Sequence, residues 1–273
     1  MNLNELVNNY LAQGYELADA QSKVCQDFVL YKIGKSRYAH NITIKGGVVM
    51  HNISKSTRRA TRDLDLDFIK YSLDDNSIIT FINELNKNDK ETVIKINGEI
   101  EKLHHQFYDG KRVNISITDN YNNTLETKLD IGVHKYFKLE QDVYIFDFAL
   151  LDGSVSLLVN SPEQIVCEKL RSLLKFGIRS TRYKDIFDFY YLIDNNILNK
   201  ERLVKYIDLL IFKDENINQK TINDIVLRLE MILNNRRFID RLDNARSNWI
   251  NIPVNDVIDN VISYFNSLEN IQV

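Results

Sequence analysis

The stretch Lys45–Phe68, KGGVVMHNISKSTRRATRDLDLDF, carries the reading of the fold. Its end alternates strictly: Leu64, Leu66 and Phe68 fall on one face of an extended chain, and Asp63, Asp65 and Asp67 on the other. That is the pattern of a sheet strand with one apolar face. Upstream, NITIK is a short strand that stops at Gly46-Gly47, and VVMHNISK has the character of a helix following the glycines.

Working outward, the chain before about Arg37 has helical spacing, with Leu17, Val24, Phe28 and Tyr31 in phase and Gly14 and Gly34 as expected helix ends. SLDDNSIITFINELNK predicts a helix capped near Ser72, and ETVIKING a strand. RVNISITDNYNNTLETKLDIGVH predicts an antiparallel hairpin. Val113, Ile115 and Ile117 alternate outward, DNYNN turns, and Leu129, Ile131 and Val133 alternate on return. Asp130 then lies opposite its apolar neighbours. After Ser161-Pro162 every segment has helical patterning, beginning with Pro near a helix start. The fold class expected is α+β: a helical segment over 1–37, a mixed β-sheet domain with flanking helices over 38–160, and a C-terminal helical bundle over 161–273.

Composition is that of a globular protein, 44% apolar and 27% charged, with a formal net charge of −3. A molecule that is basic throughout is excluded, so any nucleic-acid contact must come from a local patch. Cys25 and Cys167 have no metal-ligand spacing and read as buried thiols in a reducing, cytoplasmic setting. No stretch approaches the apolar length of a membrane span, so no membrane partner is expected.

Carboxylates at alternate strand positions sit about 6.5–7 Å apart, close enough to share a cation. Mg²⁺ takes oxygen ligands and commonly uses one or two carboxylates plus substrate phosphates. Asp130, from another strand, can supply a third carboxylate for phosphoryl chemistry. Taken singly, a D-x-D is usually a solvated strand face and a Gly-Gly usually a turn. Together, a strand ending in two glycines and opening a helix offers backbone N–H groups to phosphate.

The segment EKLRSLLKFGIRSTRYKDIFDF holds a second group. Lys169 lies on one helix, while Arg179, Arg182 and Lys184 crowd the connection. Asp185 and Asp188 share a face of the next helix. Without the upstream motif, an ordinary surface of ion pairs is the favoured reading of these residues. His104, His105 and Asp109 lack a ligand set at metal spacing. His51 reads as a helix-surface residue and Trp249 as core. NNRRFIDRLDNAR places Arg236, Arg237, Arg241 and Arg246 on a segment that reads either as a solvated helix with acidic partners or as a contact to RNA phosphate.

The run KGG…RATRDLDLDF, then LETKLDIGV, then CEKLRSLL…RYKDIFDFYYL resembles the AbiEii/AbiGii family of nucleotidyltransferase toxins, which belong to type IV-like toxin–antitoxin and phage abortive-infection systems. The resemblance covers about Ile42 to Leu192. It implies an Mg²⁺-dependent transfer from a nucleoside triphosphate to an acceptor, the 3′ end of tRNA above all, and a cognate antitoxin as partner. By resemblance, Asp63 and Asp65 bind Mg²⁺, because Arg59, Thr61 and Asp63 stand as in R-x-[ST]-x-D-x-D. Asp130 is the third carboxylate, also at the metal, and assists the acceptor hydroxyl. Lys45, Gly46 and Gly47 meet the nucleotide, Lys169 meets the triphosphate, and Asp185 is the late acid with Asp188 beside it at the nucleotide. The active site is expected in the cleft between the sheet and the helical bundle. Gly47 departs from the Ser of more distant polymerase-type transferases, and Asp67 is an additional acid. The alternatives are nucleotidyl modification of a protein or small molecule, or a catalytically idle partner-binding module.

Overall fold

In the computed structural model the acidic alternation becomes strand β2 (Leu64–Phe68), with Leu64, Leu66 and Phe68 fully buried. The structure describes residues 2–87, 91–103, 110–135, 138–148, 151, 153–243 and 246–271. His104, His105 and Asp109 lie outside the described residues. The chain divides into two compact units, Met1–Asn160 and Ser161–Val273.

In the first unit, β1 (Ile42–Lys45) ends where expected, and helix α3 (Gly46–Ser54) follows directly. The predicted strand and hairpin form as β3 (Thr92–Ile96), β5 (Gly110–Asp119) and β6 (Thr124–Val133). Three further strands complete the sheet: β4 (Glu101–Leu103), β7 (Gln141–Phe148) and β8 (Gly153–Asn160). Sequence reading did not resolve these three, and β7 lies at the sheet edge, where Val143 and Ile145 stay exposed rather than marking a core face. The strand order is β3-β5-β6-β2-β1-β8-β7, with β4 added on β5. The sheet is mixed, since β2–β6 and β1–β8 are parallel and the other pairings antiparallel.

Helices α1 (Leu3–Ala12) and α2 (Leu17–Lys35) belong to this unit, and α2 packs on β6 and β8. Gly34 stands in the last turn of α2, one residue before its end. A Cβ there would lie 2.4 Å from Val155 Cβ, so glycine serves the close approach of helix to strand. Leu17, in helical phase with the buried Val24 and Phe28, is exposed at the helix start. Helix α4 (Asp75–Leu85) is capped by Asp74, which accepts from Ser77 N–H at 2.8 Å; Ser72 instead donates to Asp74. Phe68 and Phe81 meet edge to face at 5.3 Å, tying β2 to α4. Burying each ring contributes about 2–3 kcal/mol, so Phe68→Ala would loosen the strand that bears the aspartates.

The second unit is helical: α5 (Pro162–Phe176), α6 (Lys184–Asp194), α7 (Lys200–Ile207), α8 (Ile222–Leu233), α9 (Arg236–Leu242) and α10 (Val254–Asn266). Ser161 caps α5, accepting from Gln164 N–H, with Pro162 in the first turn as anticipated. Helix α7 continues directly into a π-helical turn over Asp208–Phe212. Helix α10 packs on α6 and α8, burying Val257, Ile258, Val261 and Phe265. Among the described residues no helix is long and apolar enough to cross a membrane.

Candidate active site

Strand register, not sequence proximity, assembles the acidic row. Antiparallel pairing sets Lys45 opposite Asp65, parallel pairing sets Asp65 opposite Asp130, and the hairpin sets Asp130 opposite Arg112. Four charged residues thus stand abreast on four adjacent strands. Neighbouring strands are about 4.8 Å apart, so the Asp65 and Asp130 carboxylates are lateral neighbours. The Arg112 guanidinium grips Asp130 with two bonds of 2.8 Å. That grip raises the guanidinium's own pKa above its ordinary value, chiefly through the hydrogen bonds to Asp130.

The other aspartates differ in setting. Asp67 is buried, and Lys45 Nζ approaches its Oδ1 at 2.8 Å, an ion contact without hydrogen-bond alignment. Asp63 precedes β2 and is half exposed, with Lys128 Nζ at 2.8 Å. Among the described residues no three acidic, His or Cys groups stand together as a ready-made cation cage. The carboxylates are instead held singly by Arg112, Lys45 and Lys128.

The glycine pair has a steric meaning that sequence reading missed. Gly46 has φ +68°, and a Cβ there would lie 2.6 Å from Asp65 Oδ2. At Gly47 a Cβ would lie 2.7 Å from Thr61 Oγ1. The start of α3 can therefore press against Asp65 and Thr61 only without side chains. The first turn of a helix carries N–H groups with no intrahelical acceptor and the positive end of the dipole. Asp65 and the opening of α3 are thereby brought together, as are Asp65 and Asp130.

Helix α2 braces the loop that leads into β2. Gln26, buried, donates from Nε2 to the Thr61 carbonyl at 2.8 Å, and Arg62 pairs with Asp19 at 2.6 Å. His51 is buried on α3, contrary to the surface position expected. Its Nε2 meets Tyr15 Oη at 2.9 Å and its Nδ1 the Ser56 carbonyl at 3.1 Å. Burial first, then the Lys23 charge, pulls its pKa from 6.5 down to about 4, so the ring is neutral. Deeper in, Tyr10 and Lys23 both bond Asp27, and burial pushes the Cys25 thiol up to about 12. Burial also raises the Cys167 thiol, so both cysteines are inert core residues.

In the helical unit, Lys169 on α5 meets two acids of α6. Its Nζ bonds Asp185 Oδ1 and lies 3.0 Å from Asp188 Oδ2. Asp188 is fully buried and accepts from the Trp249 indole at 3.2 Å. The i, i+3 spacing predicted the shared face of Asp185 and Asp188. It did not predict their burial, nor Trp249 as their partner. Arg112, Lys128 and Gln26 also escaped sequence reading; only Arg112 had a local signal, in the hairpin register.

A family model described as "Nucleotidyl transferase AbiEii toxin, Type IV TA system" matches residues 29–259. No curated protein matches the chain significantly. Among solved structures, it is similar to an antigenic nucleotidyltransferase-like protein from Paracoccidioides brasiliensis, with 16% identity and a TM-score of 0.42, over 81% of this chain and 91% of that one.

Proposed function

The chain belongs to the AbiEii family of nucleotidyl transferase toxins of type IV toxin–antitoxin systems, and on that premise we propose that it moves a nucleotide from a nucleoside triphosphate to the 3′ end of a tRNA. One observation carries the reading: Asp65 stands in register with Asp130 while the Gly46 backbone closes on its carboxylate. Acidic ligands and a phosphate-binding helix start thus meet at one point of the sheet. Membership also implies an antitoxin as partner.

The candidate donors are carboxylate oxygens, the kind that Mg²⁺ takes, with substrate phosphates and water to complete the shell. Asp63 and Asp65 would hold the ion, with Asp130 alongside, and when bound it would neutralise phosphate charge at the reacting centre. Asp130 keeps free lone pairs beyond its two bonds to Arg112, and it takes the proton from the acceptor hydroxyl. The acceptor oxygen bonds to the α-phosphorus as the bond to pyrophosphate breaks. Backbone N–H groups at Gly46 and Gly47 orient the phosphates, helped by Lys45. Lys169 is proposed for the triphosphate, with Asp185, the late acid, and Asp188 orienting its ammonium.

The test is label transfer from each α-labelled nucleoside triphosphate to total RNA in Mg²⁺, with Asp65→Asn alongside. Label is expected in tRNA-sized RNA, falling about 100- to 1000-fold in the variant while the unfolding temperature holds. Label in protein or in a small molecule would replace the acceptor. No label with any donor would leave a partner-binding module.

A further inference from the structure

Away from the carboxylates, the helical unit gathers arginines that are distant in sequence. Tyr183, in the connection between α5 and α6, packs its ring against Phe238 of α9 at 5.4 Å. Arg241 Nη1 reaches Tyr183 Oη at 3.5 Å. The basic connection and the basic helix thus form one surface. Phe238 and Leu242 are the buried stripe of α9, and Arg237 and Arg241, four apart, form one exposed flank of it. Arg179 and Arg182 are exposed on the connection. Arg228 of α8 adjoins it, with its guanidinium against Gly177, where a Cβ would come within 2.6 Å.

None of these five arginines has a carboxylate partner among the described residues. Asp185 and Asp188 are spent on Lys169, and among the described residues neither Asp240, three residues after Arg237 on α9, nor Asp243 forms an ion pair with any of the five. Like charges gathered without counter-ions repel, and a polyanion relieves that repulsion. All five are arginine, whose planar fork matches phosphate with two parallel bonds. Half-buried Tyr183 adds an aromatic face at the centre, on which an unpaired base can stack.

We infer that this surface, Arg179, Arg182, Arg228, Arg237 and Arg241 around Tyr183, binds the phosphate backbone of an RNA strand. The identity of the strand as RNA rests on the acceptor proposed above; the surface itself rests on the arginines. Contacts of this kind hold and orient the nucleic acid and carry little sequence information.

The experiment is fluorescence anisotropy with labelled tRNA across a salt series, without nucleoside triphosphate. The R182A/R237A/R241A protein is compared with wild type and with a charge-matched control, K95A/K102A/K205A, whose lysines are exposed elsewhere. Wild type should bind with a steep salt dependence. The arginine variant should bind at least about tenfold more weakly at about 0.15 M salt, with a log–log slope shallower by about 2. R182K/R237K/R241K should recover most of the slope. Unchanged binding in the arginine variant, an equal fall in the lysine control, or no binding by wild type overturns the inference. A DNA duplex bound as tightly as RNA overturns the assignment to RNA. If label transfer fails with every donor while arginine-dependent binding persists, the proposed reaction falls and this surface stands.

Discussion

Lys128 and Lys169 each hold aspartate, but in opposite settings. Lys128 reaches Asp63 from a strand, with both side chains about half exposed. Lys169 reaches Asp185 and Asp188 from a helix, with all three buried and an indole bonded to the second acid. In water an ammonium leaves its carboxylate at little cost, so Asp63 can exchange Lys128 for another cation. Inside the helical unit the same exchange would strand charges away from solvent. The sheet unit carries in Asp63 an acid that is available, and the helical unit a lysine that is locked in place.

The sharpest way to break that contrast is Lys169→Ala. Removing the cation leaves two buried carboxylates, so it should cost about 3–5 kcal/mol by denaturant unfolding; a loss below about 1 kcal/mol would erase the distinction. Next comes acid. Every histidine lies in the first unit, and buried His51 has its pKa depressed to about 4. The unfolded chain binds that proton first, so stability present above pH 6.5 drains away as pH falls toward 4, by about 3 kcal/mol. His51→Gln should flatten the profile in that window, and an identical profile in the variant would deny the histidine this role. Gly46→Ala should cost about 1–3 kcal/mol through its positive φ and the contact with Asp65, and should depress label transfer with it. The smallest effect belongs to Lys128→Ala, below about 1 kcal/mol and vanishing in high salt. A larger or salt-insensitive loss would make the two lysines alike.

Much of this was legible in the chain. The alternation Leu64-Asp65-Leu66-Asp67-Phe68 fixes a period of two, so the acids had to share a face. The hairpin register was also within reach: counting back on both sides of the turn at Tyr121 pairs Arg112 with Asp130. Counting residues does not reach the parallel pairing of β2 with β6, because a long connection sets no register. His51 shows the opposite failure. Its neighbours in sequence suggest a surface residue, yet Tyr15, from the connection between α1 and α2, meets its ring, and the residue is buried.

By itself, the sequence determined which residues can form strands and helices, that Gly46-Gly47 ends β1, and that Asp185 and Asp188 share a side of α6. These follow from backbone geometry, which is local and periodic. Only the tertiary structure decided that Asp65 faces Asp130, that Gly46 must lack a side chain because that carboxylate is there, that Lys169 is spent on two buried acids, and that Tyr183 joins α9 to a basic connection. Those are contacts between segments far apart in the chain, selected by how the whole apolar surface can be buried at once, and no local period encodes them.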